Sequence, residues 1–258
     1  MRRLWKTARR HVERLSRKDR RAALQFLGLL AVLPVFPNRE LDWLLDLNPR
    51  VIWLVVVFIA GMSLAGYGLS RFLSPRKAMG ITGFLGGFVS PSLTVAALAE
   101  QHQRNPRFTL AFSFSAAVAA TVLFPRVFVL VWIVSWSLAR SVALPLGGMT
   151  AAGIAVTGGL WFRIRGVEPP EIDMEAPFRI APALGIGGVV AGILACINYF
   201  EISLPSPMAE TGIVLALVGN LLALVIIAGI GGSKGMAGVL AVVTAACSLV
   251  GLVLVWLV

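Results

Sequence analysis

Apolar residues come in long runs, separated by short polar links. The runs are Ala22–Phe36, Val51–Phe72, Ala78–Ala99, Phe108–Ser137, Leu144–Phe162, Ile180–Phe200, Thr211–Ile230 and Met236–Val258. About 20 apolar residues are needed to cross a bilayer as a helix, so most runs are long enough to span. The pattern predicts an all-α, polytopic transmembrane helix bundle of about 7–8 membrane segments. It divides into a basic tail over 1–21 and a single transmembrane domain over 22–258. Within that domain a front half (22–162) and a back half (180–258) flank the polar link 163–179. The first run is short and contains Pro34, so a tilted or partly interfacial segment is expected there.

One run carries its own interruption. Residues 78–99 read AMGITGFLGGFVSPSLTVAALA, with Gly83, Gly86 and Gly87 ahead of Ser90-Pro91. Ser is a preferred N-cap and Pro a preferred first helical residue. One helix therefore ends near Gly87 and a second starts after Ser90. The segment is then broken or re-entrant, the other reading being a Pro-kinked spanning helix. Broken backbone at membrane depth must be buried in protein or line a wet cavity.

Charge placement bears on that choice. With the N-terminus in the cytoplasm and every run crossing once, 14 Lys and Arg lie inside and eight outside, leaving out Arg126 within its run. If 78–99 returns to the side it left, the tally becomes 19 inside and three outside (Arg39, Arg50, Arg140). Cytoplasmic loops carry the excess of basic residues, which favours the returning segment and an external C-terminus.

Composition agrees with a membrane protein. Of 258 residues 58% are hydrophobic and 14% charged, and mean hydropathy is +0.86; soluble domains are about 25% charged. The net charge of +11 sits mostly in residues 1–21, which hold ten of the 23 basic residues. A basic stretch beside a span signals cytoplasmic location and contact with anionic lipid, rather than nucleic-acid binding. Leu4, Ala8, Val12 and Leu15 at helical spacing suit a helix lying on the surface. The run 22–36 lacks a small-residue cleavage site and reads as a retained span. Cys196 and Cys247 fall inside apolar runs, and His11 and His102 lie far apart, so neither a disulfide framework nor a metal cluster is expected.

The string GITGFLGGFVSPSLTVAALAE, the later FPRVFVLV, and the Asn48-Pro49-Arg50 that opens a span together resemble the C-terminal membrane domain of MgtC/SapB-type bacterial proteins, a domain of unknown function. The resemblance covers about residues 25–165. It implies a bacterial inner-membrane location and a loose link to ion homeostasis, and no substrate. The chain departs from the pattern by starting with its basic tail and by lacking an acidic motif in the back half.

Arg126 is the only charged residue well inside an apolar run. An ionisable group in a span is a functional-site hypothesis, and a guanidinium suits oxyanions. The alternative is snorkelling to the interface or donating to backbone carbonyls. Ser90, Ser92 and Thr94 open the second half-helix, whose N-terminus favours anions. Ser115 lies eleven residues before Arg126, on nearly the same face. Asn220, Asn198 and Thr244 are polar groups of the back half; Asn220 is either Arg126's counterpart in a repeat or interhelical glue. The expected substrate-binding set is Arg126, Ser90, Ser92, Thr94, Ser115 and Asn220, with no catalytic residue, metal or cofactor.

All twelve Asp and Glu lie outside the runs or at their edges. Hard cations need carboxylates, and proton relays use Asp, Glu or His. The expected function is therefore a channel or transporter for a small anionic or zwitterionic solute. The alternative is a regulatory or scaffolding protein that binds other membrane proteins or lipids. An enzyme lacks a base to activate Ser90 or Ser92. A homo-oligomer is allowed for. The glycine pairs Gly83/Gly87 and Gly188/Gly192 suit close helix contact. GIGGSKG (229–235) follows an apolar helix and lacks the order of a phosphate loop.

Overall fold

The computed structural model describes residues 17–41, 48–72, 79–164 and 206–257. The regular elements among them are helices: α1 (Arg17–Val32), α2 (Pro49–Phe72), α3 (Met79–Val89), α4 (Pro91–Arg104), α5 (Thr109–Val134), α6 (Trp136–Ile164), α7 (Ser206–Ile230) and α8 (Lys234–Leu257), with single 3-10 turns at Leu33–Val35 and Pro106–Phe108. Among the described residues four helices are long and apolar enough to cross a membrane: Pro106–Val134, Trp136–Ile164, Met208–Ile230 and Lys234–Leu257. A shorter apolar helix covers Pro49–Ala65. The expected run 180–200 and the surface helix of the tail lie outside the described residues, as do Gly188, Gly192, Cys196 and Asn198.

The chain forms two compact units. The first contains α1 and α2 as far as Leu64. Pro34 cannot continue a helix, and α1 gives way to the 3-10 turn around it. Trp53 Nε1 donates to Leu29 O at 2.8 Å, tying α2 to the last turn of α1. The Asn48-Pro49-Arg50 string is a helix cap: Asn48 Oδ1 accepts from Arg50 N at 3.1 Å and Val51 N at 3.4 Å, and Pro49 is the first residue of α2.

The second unit holds α3 to α8. Its axis is the first half of α5, where nearly every residue from Ala111 to Phe124 is buried whatever its face. A helix apolar all round is a central helix. The small side chains Ser113, Ser115, Ala116, Ala117, Ala119 and Ala120 let neighbours close in on every side. α6 runs back along α5, with Thr121 against Gly153 and Phe114 against Trp161, ring centroids 5.6 Å apart. α8 runs back along α6, with Val250 and Leu254 over Gly148, and Met149 over Gly251.

Single residues make the turns. Ser135 (φ −151°, ψ 115°) ends α5, and its Oγ accepts from Leu138 N at 3.3 Å to cap α6. The two apolar runs on either side thus meet at one residue, and Arg140, expected in the link, lies inside α6. GIGGSKG forms the corner between α7 and α8. Gly232 takes φ +78°, a conformation suited to glycine, while Ser233 N reaches Ala228 O and Gly232 N reaches Gly229 O, both at 3.1 Å, the Schellman pattern.

A second expectation needs correcting. Glu210 lies just outside the apolar run 211–230, but α7 starts at Ser206 and takes Glu210 in, where it is 7% exposed. The carboxyl groups are therefore not all outside the apolar helices.

Candidate functional site at the Ser90 turn

Pro91 has no N–H for the carbonyl four residues back and disfavours helical backbone at the residue before it. Ser90 accordingly takes φ −162°, ψ 106°. Its N–H closes α3 on Gly86 O at 2.7 Å, and its carbonyl accepts from Thr94 N at 3.0 Å. Ser90 Oγ accepts from Leu93 N at 3.4 Å. One residue thus ends α3 and caps α4, where the sequence puts the break.

The break is sharp. In a continuous helix residues 86 and 94 would be about 12 Å apart; here the Thr94 side chain fills the space where a Cβ of Gly86 would be. Thr94 Oγ1 donates to Ser90 O at 2.8 Å. On its other face α3 meets the main chain of α5. A Cβ at Gly83 would strike the Ser115 carbonyl, and one at Gly87 would lie 2.6 Å from Ala119 Cα. Gly83 and Gly87 against Ser115 and Ala119 give two matching steps of four, so α3 runs parallel to α5.

α4 runs back. Its C-terminal turn reaches the start of α5, with His102 Nε2 and Thr109 Oγ1 2.8 Å apart, and reaches the α7–α8 corner through Gln103 Nε2 donating to Gly231 O at 2.7 Å. Together α3 and α4 form a helical hairpin with its tip at Ser90, part of the way along α5.

Arg126 lies where the buried part of α5 stops. It is half-buried and follows the exposed Pro125. By helix rise it is about 26 Å from Thr109 and about 12 Å from Val134. Its Nη1 donates to Phe88 O at 3.4 Å. Phe88 lies in the last turn of α3, whose carbonyls lack partners within the helix and form its negative end. The guanidinium therefore turns along α5 toward the hairpin tip. At 3.4 Å the contact is longer than a charge-assisted hydrogen bond and acts mainly through charge. The tip brings a cation to the carbonyl end of α3, beside the N–H end of α4.

The other expected site residues divide. Ser92 is half-buried beside the cap, and its hydroxyl makes no hydrogen bond among the described residues. Thr94 is buried and serves the turn. Ser115 is buried under Gly83, about 16 Å along the helix from Arg126, and is not brought to the tip. Asn220 is half-buried at the middle of α7, and its amide makes no hydrogen bond among the described residues. Sequence reasoning missed Phe88, which acts through its main-chain carbonyl, and the buried Glu210. Among the described residues no three His, Cys, Asp or Glu side chains gather as metal ligands.

The ends of the unit differ. Arg104, Arg107, Arg163 and Lys234 are exposed where α4 and α6 end and α5 and α8 begin. At the other end the Trp132 and Trp136 rings lie tilted with centroids 6.0 Å apart, and the Arg140 guanidinium lies 4.9 Å over the Trp136 ring. Aromatic rings with a basic partner suit the membrane interface.

Residues 57–204, more than half of the chain, match the family described as Domain of unknown function (DUF4010). The match takes in the hairpin and Arg126. No curated protein and no solved structure matches the chain.

Proposed function

This chain belongs to the DUF4010 family, and we propose that it is a channel or transporter for a small anionic or zwitterionic solute. Four apolar helices make it an integral membrane protein. The observation that carries the transport reading is the Arg126 guanidinium at the hairpin tip, 3.4 Å from Phe88 O. Its charge offsets the negative end of α3 and leaves the positive start of α4 to act on a solute. Ser90 and Ser92 supply hydroxyls there. Metal, cofactor and acid–base chemistry play no part in this reading, and the protein is not an enzyme.

In the bilayer the hairpin is re-entrant. The parallel register of α3 on α5 and the return of α4 to the start of α5 support this. The end bearing Arg104, Arg107, Arg163 and Lys234 then faces the cytoplasm of a bacterium, with the N-terminus on the same side and its basic tail on anionic lipid. Kinship with the membrane domain of MgtC/SapB-type proteins fits this architecture.

The test is flux. Purified protein in liposomes is assayed with labelled inorganic anions and zwitterionic amino acids. Uptake above that of empty liposomes, lost in Arg126→Leu, is expected. A folded protein that moves none of them favours the scaffolding reading, which the unfilled space around Gly147, Gly158 and Gly159 on α6 supports.

A further inference from the structure

Among the described residues, the middle of α7 carries a polar side chain that makes no hydrogen bond. Val214, Leu217, Leu221, Leu224 and Ala228 form its buried face. Beside that face runs a flank of Ala216, Asn220 and Ala223, spaced four and three, with Gly212 and Gly219 next to it. Nothing lies within 4 Å of where a Cβ of either glycine would be.

Asn220 sits near the centre of the candidate span Met208–Ile230, about 18 Å of helix from its start and about 15 Å from its end. Its amide makes no hydrogen bond among the described residues. In a spanning helix the part that protein leaves open meets hydrocarbon, which offers no hydrogen bond. An amide left so costs several kcal/mol in a medium without hydrogen bonds, and its short side chain cannot reach the interface.

We propose that the chain forms a two-fold homodimer through this flank of α7, with the Asn220 amide paired to the partner subunit's Asn220. An amide is both donor and acceptor and so complements its own copy across a two-fold axis, where each residue meets its equivalent. Lipid tails offer neither a donor nor an acceptor. Alanine and glycine on either side let the two backbones approach, as in other self-associating membrane helices. A polar residue in a seam of three-and-four spacing also fixes register and stoichiometry. The inference is independent of the transport reading.

Two measurements in liposomes test it. In a Cys196→Ser background, Ala216→Cys is oxidised beside the control Val242→Cys, a lipid-facing position of α8 that is 60% exposed. A disulfide-linked dimer forming much faster at 216 supports the interface. Equal cross-linking at the two positions, or none at 216, overturns it. This test keeps Asn220, so it decides even if substitution there impairs folding. Energy transfer between labelled copies, diluted with lipid, then compares wild type, Asn220→Leu and Asn220→Gln. Interhelical polar pairs imply a dimer about three- to thirtyfold weaker in Asn220→Leu, with Asn220→Gln closer to wild type. Unchanged affinity in Asn220→Leu, or a wild type monomeric at every dilution, overturns the proposal.

Discussion

Gly83→Ala and Gly87→Ala test how the hairpin is held. The added methyl at 83 falls on the Ser115 carbonyl, 2.8 Å from its carbon, and the one at 87 falls 2.7 Å from Ala119 O. These obstacles are main chain of a central helix, which cannot turn aside as a side chain can. Carbon contacts settle near 3.5–4.0 Å, so α3 must back away by about 1 Å at either position. Overpacking of this kind costs about 1–3 kcal/mol. Alanine also favours a helix over glycine by about 1 kcal/mol, so the net loss is about 0–2 kcal/mol for one substitution. The double variant should lose about twice as much. Gly238→Ala, where nothing lies within 4 Å, receives only the helix gain. Thermal unfolding in detergent, followed by loss of the monodisperse peak, should rank Gly238→Ala at or above wild type and the double variant clearly below. If the double variant matches Gly238→Ala, α3 does not rest on the α5 backbone. The same displacement would draw Phe88 from Arg126, so flux should fall in the surviving folded fraction.

Other outcomes follow from single sites. Arg126→Lys keeps the charge and loses the planar fork, so flux should drop while the detergent-stable species persists; equal losses of both would make Arg126 structural. Glu210 is buried and makes no hydrogen bond among the described residues. Glu210→Gln should therefore raise Tm by about 2–4 °C per kcal/mol gained, and a lower Tm would mean the acid is paired in the membrane. Ser90→Ala removes a cap and should cost about 1 kcal/mol, read as a lower midpoint of thermal unfolding; no change would show that Pro91 alone sets the break. Single cysteines at Arg76, Arg104 and Arg140 should label from the cytoplasm, the cytoplasm and the outside respectively; opposite sides for 76 and 104 would mean that residues 78–99 cross.

The Ser90 break was legible because its causes are local: a capping hydroxyl, a following proline, and glycines four apart. Its sharpness was not, because it depends on Thr94 filling the place of a side chain at Gly86, a fit between turns that no spacing encodes. The Ser135 turn lies in VWIVSWSL, without Pro or Gly, so hydropathy runs through it unbroken. Glu210 was misplaced because α7 begins in a polar stretch, and apolar runs mark where a helix meets lipid rather than where it starts. Ser115 shares a face with Arg126 on a helical wheel, but helix rise keeps them about 16 Å apart. Phe88 was invisible as a partner because any residue at that position offers the same carbonyl.

The central claim is that Arg126 and the Ser90 turn face a common solute site. X-ray diffraction from crystals grown in a lipid phase, with bromide as an anomalously scattering anion, tests it most directly. The account predicts anomalous density between the Arg126 guanidinium and the start of α4, absent from Arg126→Leu. A guanidinium lying in the headgroup layer, with no bromide at the hairpin tip, would contradict it.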